Sequence, residues 1–428
     1  MKIKRALFDI QREPFARPFG FKGSFFREKW NAVVRLEEAG GHEAFGLGGL
    51  AVLWSDEAVF TAHSEAGGNL IMLCLLEKAL KLAEGREFAD PPELLATVKD
   101  EVHGYGRLIT GRPALRPTFT LNALVALDNA AWVLYARLRG GKSFTDLIPA
   151  AVRPALCHRQ KQLVAVPLVT YHLPLSTVES LLQNGAGLLK IKIGQPGSEE
   201  EMLAKDMARL SEVHQVAKAY ATPLTESGQV LYYLDANGRY RHKESIVRLL
   251  DHAGAIGALE RIVILEEPFG EELEIDVSDL PVRIAADESL HDAAAVAHKA
   301  AQGYSAIAIK PAGKTMTVAF EMASAAARHR MACYVADNAC VPFLVDWNKI
   351  FAAHLPPFPG IKGGLMEANG PESYPDWPAL VASSHPRAGA SWLWPERGTF
   401  HLDQEFYEAS GGILDDPGPV YTGLPLLR

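Results

Sequence analysis

Short apolar runs alternate with segments of helical periodicity through the chain from Leu163 to about residue 370. Eight of these runs are rich in aliphatic or β-branched residues: LVAVPLVTYH, LLKIKIG, VLYYLDANG, IVILEEPF, VRIAADES, AIAIKPAG, MACYVADNA and GLMEANGP. Strands that are apolar at nearly every position are typical of a parallel sheet with helices on both faces. Eight such strands in alternation with helices predict an α/β fold, a TIM-type (β/α) barrel over residues 160–370.

A doubly wound open sheet is the alternative for the same pattern. Such a sheet normally carries a glycine-rich phosphate-binding turn after its first strand, and VTYHLP at that position contains no glycine. We therefore favour the barrel. One departure from strict alternation is expected, because the segment from Gly270 to Leu280 is too short for a full helix.

The two ends of the chain show a different pattern of apolar and polar residues. Three strand-like runs, IKRALFDIQREPF, WNAVVRLE and GLGGLAVLW, precede segments of helical pattern that end with LNALVALDNAAWVLYARLRGG. Strands followed by a set of helices predict a separate α+β capping domain over residues 1–145. The tail, residues 371–428, is rich in Pro, Trp and Gly, and we expect it to pack back onto the capping domain.

Composition narrows the class of protein. With 428 residues, 48% apolar and 22% charged, the chain is typical of a soluble globular protein. A formal net charge of −8 gives no electrostatic reason to expect a nucleic acid or an anionic membrane as partner. No apolar run approaches the roughly 20 residues that a membrane span requires. Four cysteines without CxxC spacing, and a start that lacks signal-peptide features, predict a cytoplasmic protein.

Three carboxylates end neighbouring predicted strands. Asp235, Glu266 and Asp287 stand 31 and 21 residues apart, about one strand-to-strand repeat each. Because the carboxyl ends of barrel strands open on one face, we expect these side chains to converge. Three oxygen anions without clustered Cys or His favour Mg²⁺ over Zn²⁺. Glu267 is adjacent to Glu266, and Glu288 is adjacent to Asp287. The spacing alone therefore does not decide which acid of each pair is the metal ligand.

Lysines flank these carboxylates. Lys190 and Lys192 are two residues apart, so both point to one face of a strand, which must be the barrel interior because Ile191 occupies the other face. Near a second ammonium and a divalent cation, the pKa of such a lysine should fall and leave a neutral fraction competent as a base. Lys310 ends the sixth strand, four strands from Lys192. The two ammonium groups should therefore approach a ligand from opposite sides.

The segment PFARPFGFKGSFF contains two cations among aromatic residues, Arg17 and Lys22. We expect it to form a loop over the barrel mouth in which both cations contact the distal group of the substrate. An ordinary hairpin loop with buried phenylalanines is the alternative.

At these residues the chain resembles the enolase superfamily, and within it the muconate lactonizing enzyme subgroup that includes dipeptide epimerases and o-succinylbenzoate synthases. The motifs that carry the resemblance are LKIKIG, LDANG, LEEP, ADES and IKP, together with the helix ALDNAAWVLYARLRGGKSFTDLI. It covers nearly the whole chain. The resemblance implies the modified (β/α)7β form of the barrel, with the N-terminal α+β capping domain completed by the C-terminal tail.

By position, the resemblance implies three Mg²⁺ ligands: Asp235, Glu266 and Asp287. It selects the first Glu of LEEP and the Asp of ADES. It also implies that Lys192 and Lys310 are the acid and base, with Lys190 as electrostatic helper. Sites of this kind use a Lys or His base and Mg²⁺ to stabilise an ene-diolate. The implied reaction is removal of the proton α to a carboxylate, so we expect a small-molecule carboxylate as substrate. We also expect the protein to be a homo-oligomer.

The ends of the last two strands depart from the family pattern. Similar dipeptide epimerases carry a DxD on the eighth strand that holds the substrate ammonium, whereas this sequence has Glu367, Ala368 and Asn369. We expect Glu367 and Asn369, with Asn237 after the third strand, to contact the substrate. The seventh strand ends in Asp337 and has no His in YVADNA, unlike enzymes similar to mandelate racemase. The sequence therefore does not predict specificity for dipeptides.

Several functions fit these residues. Racemisation or epimerisation of an amino-acid derivative or dipeptide is the leading one, and the alternative is a syn-dehydration like that of o-succinylbenzoate synthase or a muconate-type cycloisomerisation. An aldolase-like enzyme with Lys192 or Lys310 as Schiff-base nucleophile would leave three carboxylates without a role. A non-catalytic metal-binding or ligand-binding protein is the remaining hypothesis.

Overall fold

The computed structural model describes residues 1–21 and 24–427, so the predicted substrate contact Lys22 lies outside the described residues. At the N-terminus, three antiparallel strands form a sheet in chain order: β1 Ile3–Phe21, β2 Ser24–Glu38 and β3 Glu43–Leu50. Val33 of β2 pairs with Asp9 of β1 and with Leu47 of β3. This is the strand meander that the N-terminal pattern predicts.

Five helices follow this sheet: α1 Val52–Ser55, α2 Glu57–Ala83, α3 Pro91–Thr110, α4 Pro117–Arg139 and α5 Phe144–Leu147. Helix α4 lies directly against β3. A Cβ atom at Gly46 would overlap the backbone of Ala126 and Ala130, and one at Gly48 would meet the backbone of Ala126. Glycine at these two positions therefore allows the strand and the helix to approach closely.

Helices α2 and α4 are long and apolar enough to cross a membrane by length and composition alone, so the prediction that no apolar run approaches the length of a membrane span is wrong. In α4, however, 94% of the apolar window is buried within the protein. Helix α2 is kinked at Ser64, whose φ is 61° and ψ 176°. The apolar character of α4 is thus explained by its position in the core of the capping domain.

The second sheet contains the predicted barrel strands. Its members are β4 Gln162–Val166, β5 Leu168–Val169, β6 Leu188–Lys192, β7 Leu231–Asp235, β8 Ile262–Glu266, β9 Ile284–Ala286, β10 Ala306–Ile309, β11 Ala332–Val335, β12 Gly364–Glu367 and the antiparallel β13 Thr399–His401. Segments β4 and β5 are one strand interrupted at Pro167, since proline cannot donate to the ladder. Because β4 pairs with β12 and β5 pairs with β6, the eight parallel strands close into a barrel.

Helices lie between most of these strands and along the tail. They are α6 Leu175–Gln183, α7 Glu199–Ala217, α8 Lys243–Ala255, α9 Ala293–Ala301, α10 Pro311–Lys314, α11 Met316–Arg328, α12 Pro342–His354, α13 Gly370–Ser373, α14 Trp377–Ser384, α15 Gln404–Ala409 and α16 Pro419–Thr422. Short 3₁₀ helices cover Arg153–Ala155, Leu259–Arg261, Ser391–Leu393 and Ser410–Gly412. In the described chain no helix lies between β8 and β9, as the short connection predicts.

The C-terminal tail reaches the first sheet. Phe8 of β1 and Leu427 exchange two backbone hydrogen bonds of 3.0 Å, and the Arg137 guanidinium pairs with Asp416 at 2.8 Å. A TIM-type barrel with an α+β capping domain completed by the tail is therefore confirmed. The exact domain boundaries stay predictions.

Candidate active site

The three predicted carboxylates lie side by side at the carboxyl ends of adjacent strands. Asp235 ends β7 and pairs in register with Glu266, which ends β8. Glu266 in turn pairs with Ala285 of β9, and Asp287 directly follows that strand. All three side chains are buried. The barrel thus brings together the acids that the strand repeat predicts to converge, while their role as metal ligands stays a prediction.

Lys190 lies at the centre of this group. Leu188 belongs to the apolar cluster inside the barrel and Ile191 to the outer core, so Lys190 and Lys192 face the interior as expected. The Lys190 ammonium contacts Asp235 at 2.8 Å, Glu266 at 3.1 Å and Glu367 at 2.6 Å.

Burial disfavours the charge on Lys190, but these three carboxylates outweigh it and hold its pKa well above the ordinary value. The expected fall in pKa assumes a divalent cation beside the lysine and stays a prediction, whereas the carboxylate contacts by themselves raise the pKa of Lys190. The physical reason is direct contact: opposite charges touch the ammonium, whereas the like charges of the other lysines are farther away.

Lys192 is held by the turn after β7. Its ammonium donates to Asp235 at 2.6 Å and to the side-chain oxygen of Asn237 at 2.7 Å. Asn237 has a φ of 47°, a left-handed conformation that asparagine adopts more readily than most residues. In that conformation its backbone N–H reaches Asp235 at 3.1 Å and its side-chain amide donates to Glu288 at 2.9 Å.

On the other side of the group, two lysines contact Asp287. Lys310 donates to Asp287 Oδ2 at 2.6 Å, and Lys314 lies 3.3 Å from Oδ1. Both ammonium groups lie over the ring of Trp54 of the capping domain, at 4.4 and 5.5 Å from its centre. Sequence analysis missed Lys314, although its position four residues after Lys310 at the end of the sixth strand was a usable signal.

The pKa values on this side follow the same logic. Burial alone would lower the pKa of Lys310, but Asp287 and Glu266 raise it above its ordinary value. Burial would raise the pKa of Asp287, but Lys310 and Lys314 lower it to about 2. In the described arrangement Lys310 is a cation and Asp287 an anion.

Two tyrosines also contact the carboxylates of the site, and sequence analysis missed both of them. Tyr233 and Tyr334 project into the barrel from β7 and β11, fully buried, and both hydroxyls contact Glu266 Oε2. Tyr233 also donates to Glu367 at 2.8 Å. Burial, reinforced by the neighbouring carboxylates, raises the pKa of Glu266 well above its ordinary value. Tyr233 shares the strand parity of Asp235, which was the available signal.

Of the remaining predicted substrate contacts, some line the cavity at the barrel mouth and one does not. Glu367 is buried against Lys190, and the backbone N–H of Asn369 donates to Asp337 at 2.7 Å. Both residues line the cavity described below, as does Asn237. Arg17 lies on β1 with an exposed side chain and is not among the residues that line it. The structure therefore brings Glu367, Asn369 and Asn237 to the lysines, but not Arg17.

A cavity of about 70 Å³ lies between the capping domain and the barrel mouth. Its barrel side presents charged groups: Lys190, Lys192, Asp235, Asp287 and Lys310. Its cap side is mainly apolar: Phe19, Phe26, Leu50, Leu53, Trp54 and Phe60. The apolar cap reduces the contact of the lysines with solvent, and a lower local dielectric strengthens the charge interactions in the cavity.

The donor set fits a hard divalent cation in its chemistry, since three carboxylates at adjacent strand ends supply oxygen ligands. Lysine ammonium groups hold these oxygens in the described arrangement: Lys190 and Lys192 on Asp235, Lys190 on Glu266, and Lys310 on Asp287. Within the described residues, no group of three or more His, Cys, Asp or Glu side chains is arranged so that it could hold a metal ion. A cation would have to replace ammonium contacts.

No family model matches the chain, and no curated protein matches it in sequence. Solved structures are similar in fold. The L-Ala-D/L-Glu epimerase from Bacillus subtilis has a TM-score of 0.65 at 16% identity, over 94% of this chain and 97% of that chain. The dipeptide epimerase from Cytophaga hutchinsonii, complexed with Mg and the dipeptide D-Ala-L-Val, has a TM-score of 0.66 at 17% identity, over 94% of each chain.

A mandelate racemase/muconate lactonizing protein from Herpetosiphon aurantiacus has a TM-score of 0.65 at 16% identity, covering 94% of this chain and 96% of that chain. At such low identity the similarity establishes the fold. The three solved structures named here come from the same group of proteins that the motifs LKIKIG, LDANG, LEEP, ADES and IKP resemble.

Proposed function

We propose that this protein is a Mg²⁺-dependent enzyme that removes the proton α to a carboxylate through an enediolate intermediate, and that it racemises or epimerises an amino-acid derivative or dipeptide. One observation carries the proposal. Lys192 and Lys310 line a single cavity from β6 and β10, with three strands between them, and each ammonium is held by a different carboxylate. Two lysines facing each other across a substrate can exchange a proton on either face of one carbon.

Asp235, Glu266 and Asp287 would hold the Mg²⁺. When bound, the cation supplies positive charge that stabilises the negative charge developing on the substrate carboxylate. The relatives crystallised with Mg share this fold, which supports the assignment. The donor chemistry supports it as well, because carboxylate oxygens are the ligands that Mg²⁺ prefers.

Side chains of the protein itself would transfer the protons and supply further positive charge. Lys192 in its neutral form takes the α-proton from one enantiomer, and Lys310 in its charged form returns a proton from the other side. The reverse reaction exchanges these roles. Lys190, whose pKa is held high by three carboxylates, stays charged and acts by electrostatic attraction. The apolar cap would limit exchange of the lysine protons with solvent during the reaction.

Deuterium exchange tests the two-lysine mechanism. Wild-type protein should wash out the α-proton of both enantiomers of a substrate in D₂O, as followed by NMR or mass spectrometry. Lys192→Ala and Lys310→Ala should each abolish racemisation, yet each should still exchange the one enantiomer that faces its surviving lysine. Full turnover by Lys310→Ala, or exchange of only one enantiomer by the wild type, would contradict racemisation.

Syn-dehydration or cycloisomerisation is the second candidate, and one observation favours it. Asp287 and Glu266 raise the pKa of Lys310, and the Trp54 ring covers its ammonium at 4.4 Å. A lysine held in its charged form is suited to steady an intermediate by its charge without transferring a proton. In that case Lys310→Arg should retain much of the activity, whereas a racemase would lose it.

A further inference from the structure

A second concave region, which we call the amino-terminal groove, lies at the end of the barrel opposite the active site. Residues at the starts of strands line it: Ile262 begins β8, Arg283 directly precedes β9 and Ala332 begins β11. Helix α11 and the segment before β12 line its sides. The groove has a volume of about 810 Å³, within the range of roughly 300–1,000 Å³ that is usual for small-molecule sites.

Prolines make the wall of the amino-terminal groove rigid. Five of them line it: Pro154, Pro281, Pro356, Pro357 and Pro359. Proline fixes the backbone angle φ and has no N–H, so these segments have little conformational freedom to lose when a ligand binds. A surface that is already ordered before binding reduces the free-energy cost of association.

The charged residues of the groove are two arginines. Arg283 and Arg330 line it, and no Asp or Glu of the described chain does so. Neither guanidinium forms an ion pair with a described residue. That of Arg283 has one weak contact, 3.5 Å to the backbone oxygen of Val263, and that of Arg330 has no hydrogen-bond partner in the described chain. The groove thus combines an apolar wall with positive charge only.

The guanidinium of Arg283 is held at a defined place in the groove. It lies over the ring of the buried Phe358, 5.5 Å from the ring centre. Arg283 is itself half-buried. Burial lowers its pKa, and no described carboxylate lies near enough to offset this effect. Because a desolvated charge without a counter-charge is unfavourable, an anion bound beside Arg283 would relieve that cost.

We propose that the amino-terminal groove binds a free monocarboxylate with an apolar body, a medium-chain fatty acid. The carboxylate accepts hydrogen bonds from Arg283 in the two-point geometry that guanidinium groups favour. The exposed Arg330 adds positive charge, and the hydrocarbon chain packs along the prolines. This binding site is separate from the cavity at the barrel mouth, and the inference does not depend on the proposed function.

Calorimetric titration of the full-length protein with three eight-carbon ligands, each below its micelle concentration, tests the inference. At pH 7 octanoate carries a carboxylate, 1-octanol a neutral hydroxyl and octylamine an ammonium. Octanoate should bind at least about tenfold more tightly than 1-octanol, because its hydrogen bonds are to a charged group. Octylamine should bind weakest, because the arginines repel it. No binding of octanoate, or equal affinity for all three ligands, would overturn the inference.

The variant Arg283→Gln removes the charge but keeps a polar side chain. It should lower the affinity for octanoate about ten- to a hundredfold and leave that for 1-octanol unchanged. Arg330→Asn should lower the affinity for octanoate less, because Arg330 is exposed. Asparagine suits its φ of 56°, so this variant keeps the backbone conformation.

Arg159→Gln is the matched control. Arg159 also lies over an aromatic ring, 5.1 Å from the centre of that of Tyr407, but does not line the groove. Its variant should bind octanoate like the wild type. If Arg283→Gln also binds octanoate like the wild type, octanoate binds elsewhere, the cavity at the barrel mouth included, and the inference is overturned.

A second copy of the chain is the other occupant that an open groove could have. Sedimentation velocity of the wild type and Arg283→Gln, each with and without octanoate, separates the two. The inference predicts the same oligomeric state in all four samples. If octanoate or Arg283→Gln dissociates an oligomer that the wild type forms, the groove is an interface between copies and the inference is overturned.

Discussion

Replacing Lys190 by Met should destabilise the protein strongly. The substitution keeps an unbranched side chain of similar length but removes an ammonium that lies 2.6–3.1 Å from Asp235, Glu266 and Glu367. The Lys190 side chain is 5% exposed, so solvent screens these contacts little. Removing one partner of a buried ion pair costs about 3–5 kcal/mol, because it leaves buried charge uncompensated. We expect a loss of that size in the free energy of unfolding at pH 8.

The pH is chosen from the direction of the pKa shift. The folded-state pKa of Lys190 is raised above its ordinary value of 10.5. Its contribution to stability is therefore complete below pH 10.5 and is lost only as the pH rises through the higher folded-state value. At pH 8 the wild-type protein has the full contribution, and the comparison with the variant measures all of it.

Magnesium should then rescue the variant selectively. In the wild type, the Lys190 ammonium and a bound cation compete for Asp235 and Glu266, whereas in Lys190→Met this competition is absent. Binding to the folded state stabilises it by RT ln(1 + [L]/Kd), so each tenfold gain in Mg²⁺ affinity adds about 1.4 kcal/mol. Saturating MgCl₂ should raise the free energy of unfolding of the variant by more than it raises that of the wild type.

Urea unfolding followed by tryptophan fluorescence, in EDTA and in MgCl₂, provides the measurement. Lys349→Met is the matched control, because Lys349 is also fully buried and pairs with Asp346 on α12, and does not line the cavity. It should lose comparable stability but show the wild-type response to MgCl₂. If MgCl₂ stabilises the wild type and both variants equally, or stabilises none, the assignment of the carboxylates as a metal site is refuted.

Two further predictions concern the metal ligands and the cap. Asp235→Asn, Glu266→Gln and Asp287→Asn should each lower turnover at least about 100-fold while the protein stays folded; activity in EDTA-treated protein without residual metal would contradict this. The buried Asp128 accepts a hydrogen bond from the Thr317 backbone N–H at 3.0 Å. Burial raises the pKa of Asp128 from 3.8 to about 7. The folded state therefore loses stability as the pH rises from 4 to 7, by up to about 4 kcal/mol. Asp128→Asn should lack this loss in urea titrations across that range, and a parallel pH profile for both proteins would refute it.

Much of the fold was available from the sequence because its causes are local. Each barrel strand is an apolar run of a few residues, and each is followed by its own polar end and helical segment. Alternation of side chains along a strand is a property of the backbone, so Lys190 and Lys192 could be assigned to the interior from their spacing alone. The adjacency of Asp235 and Glu266 follows in the same way, since successive parallel strands are neighbours in a barrel.

Tertiary structure alone decided which groups touch. Glu367 reaches Lys190 from β12, and Tyr334 reaches Glu266 from β11; only closure of the barrel brings these distant strands together. Charge interactions depend steeply on separation and on burial. The sign of the Lys190 pKa shift therefore could not be obtained from a list of nearby charges. It was decided by contacts of about 3 Å between buried groups, and no spacing along the chain records such contacts.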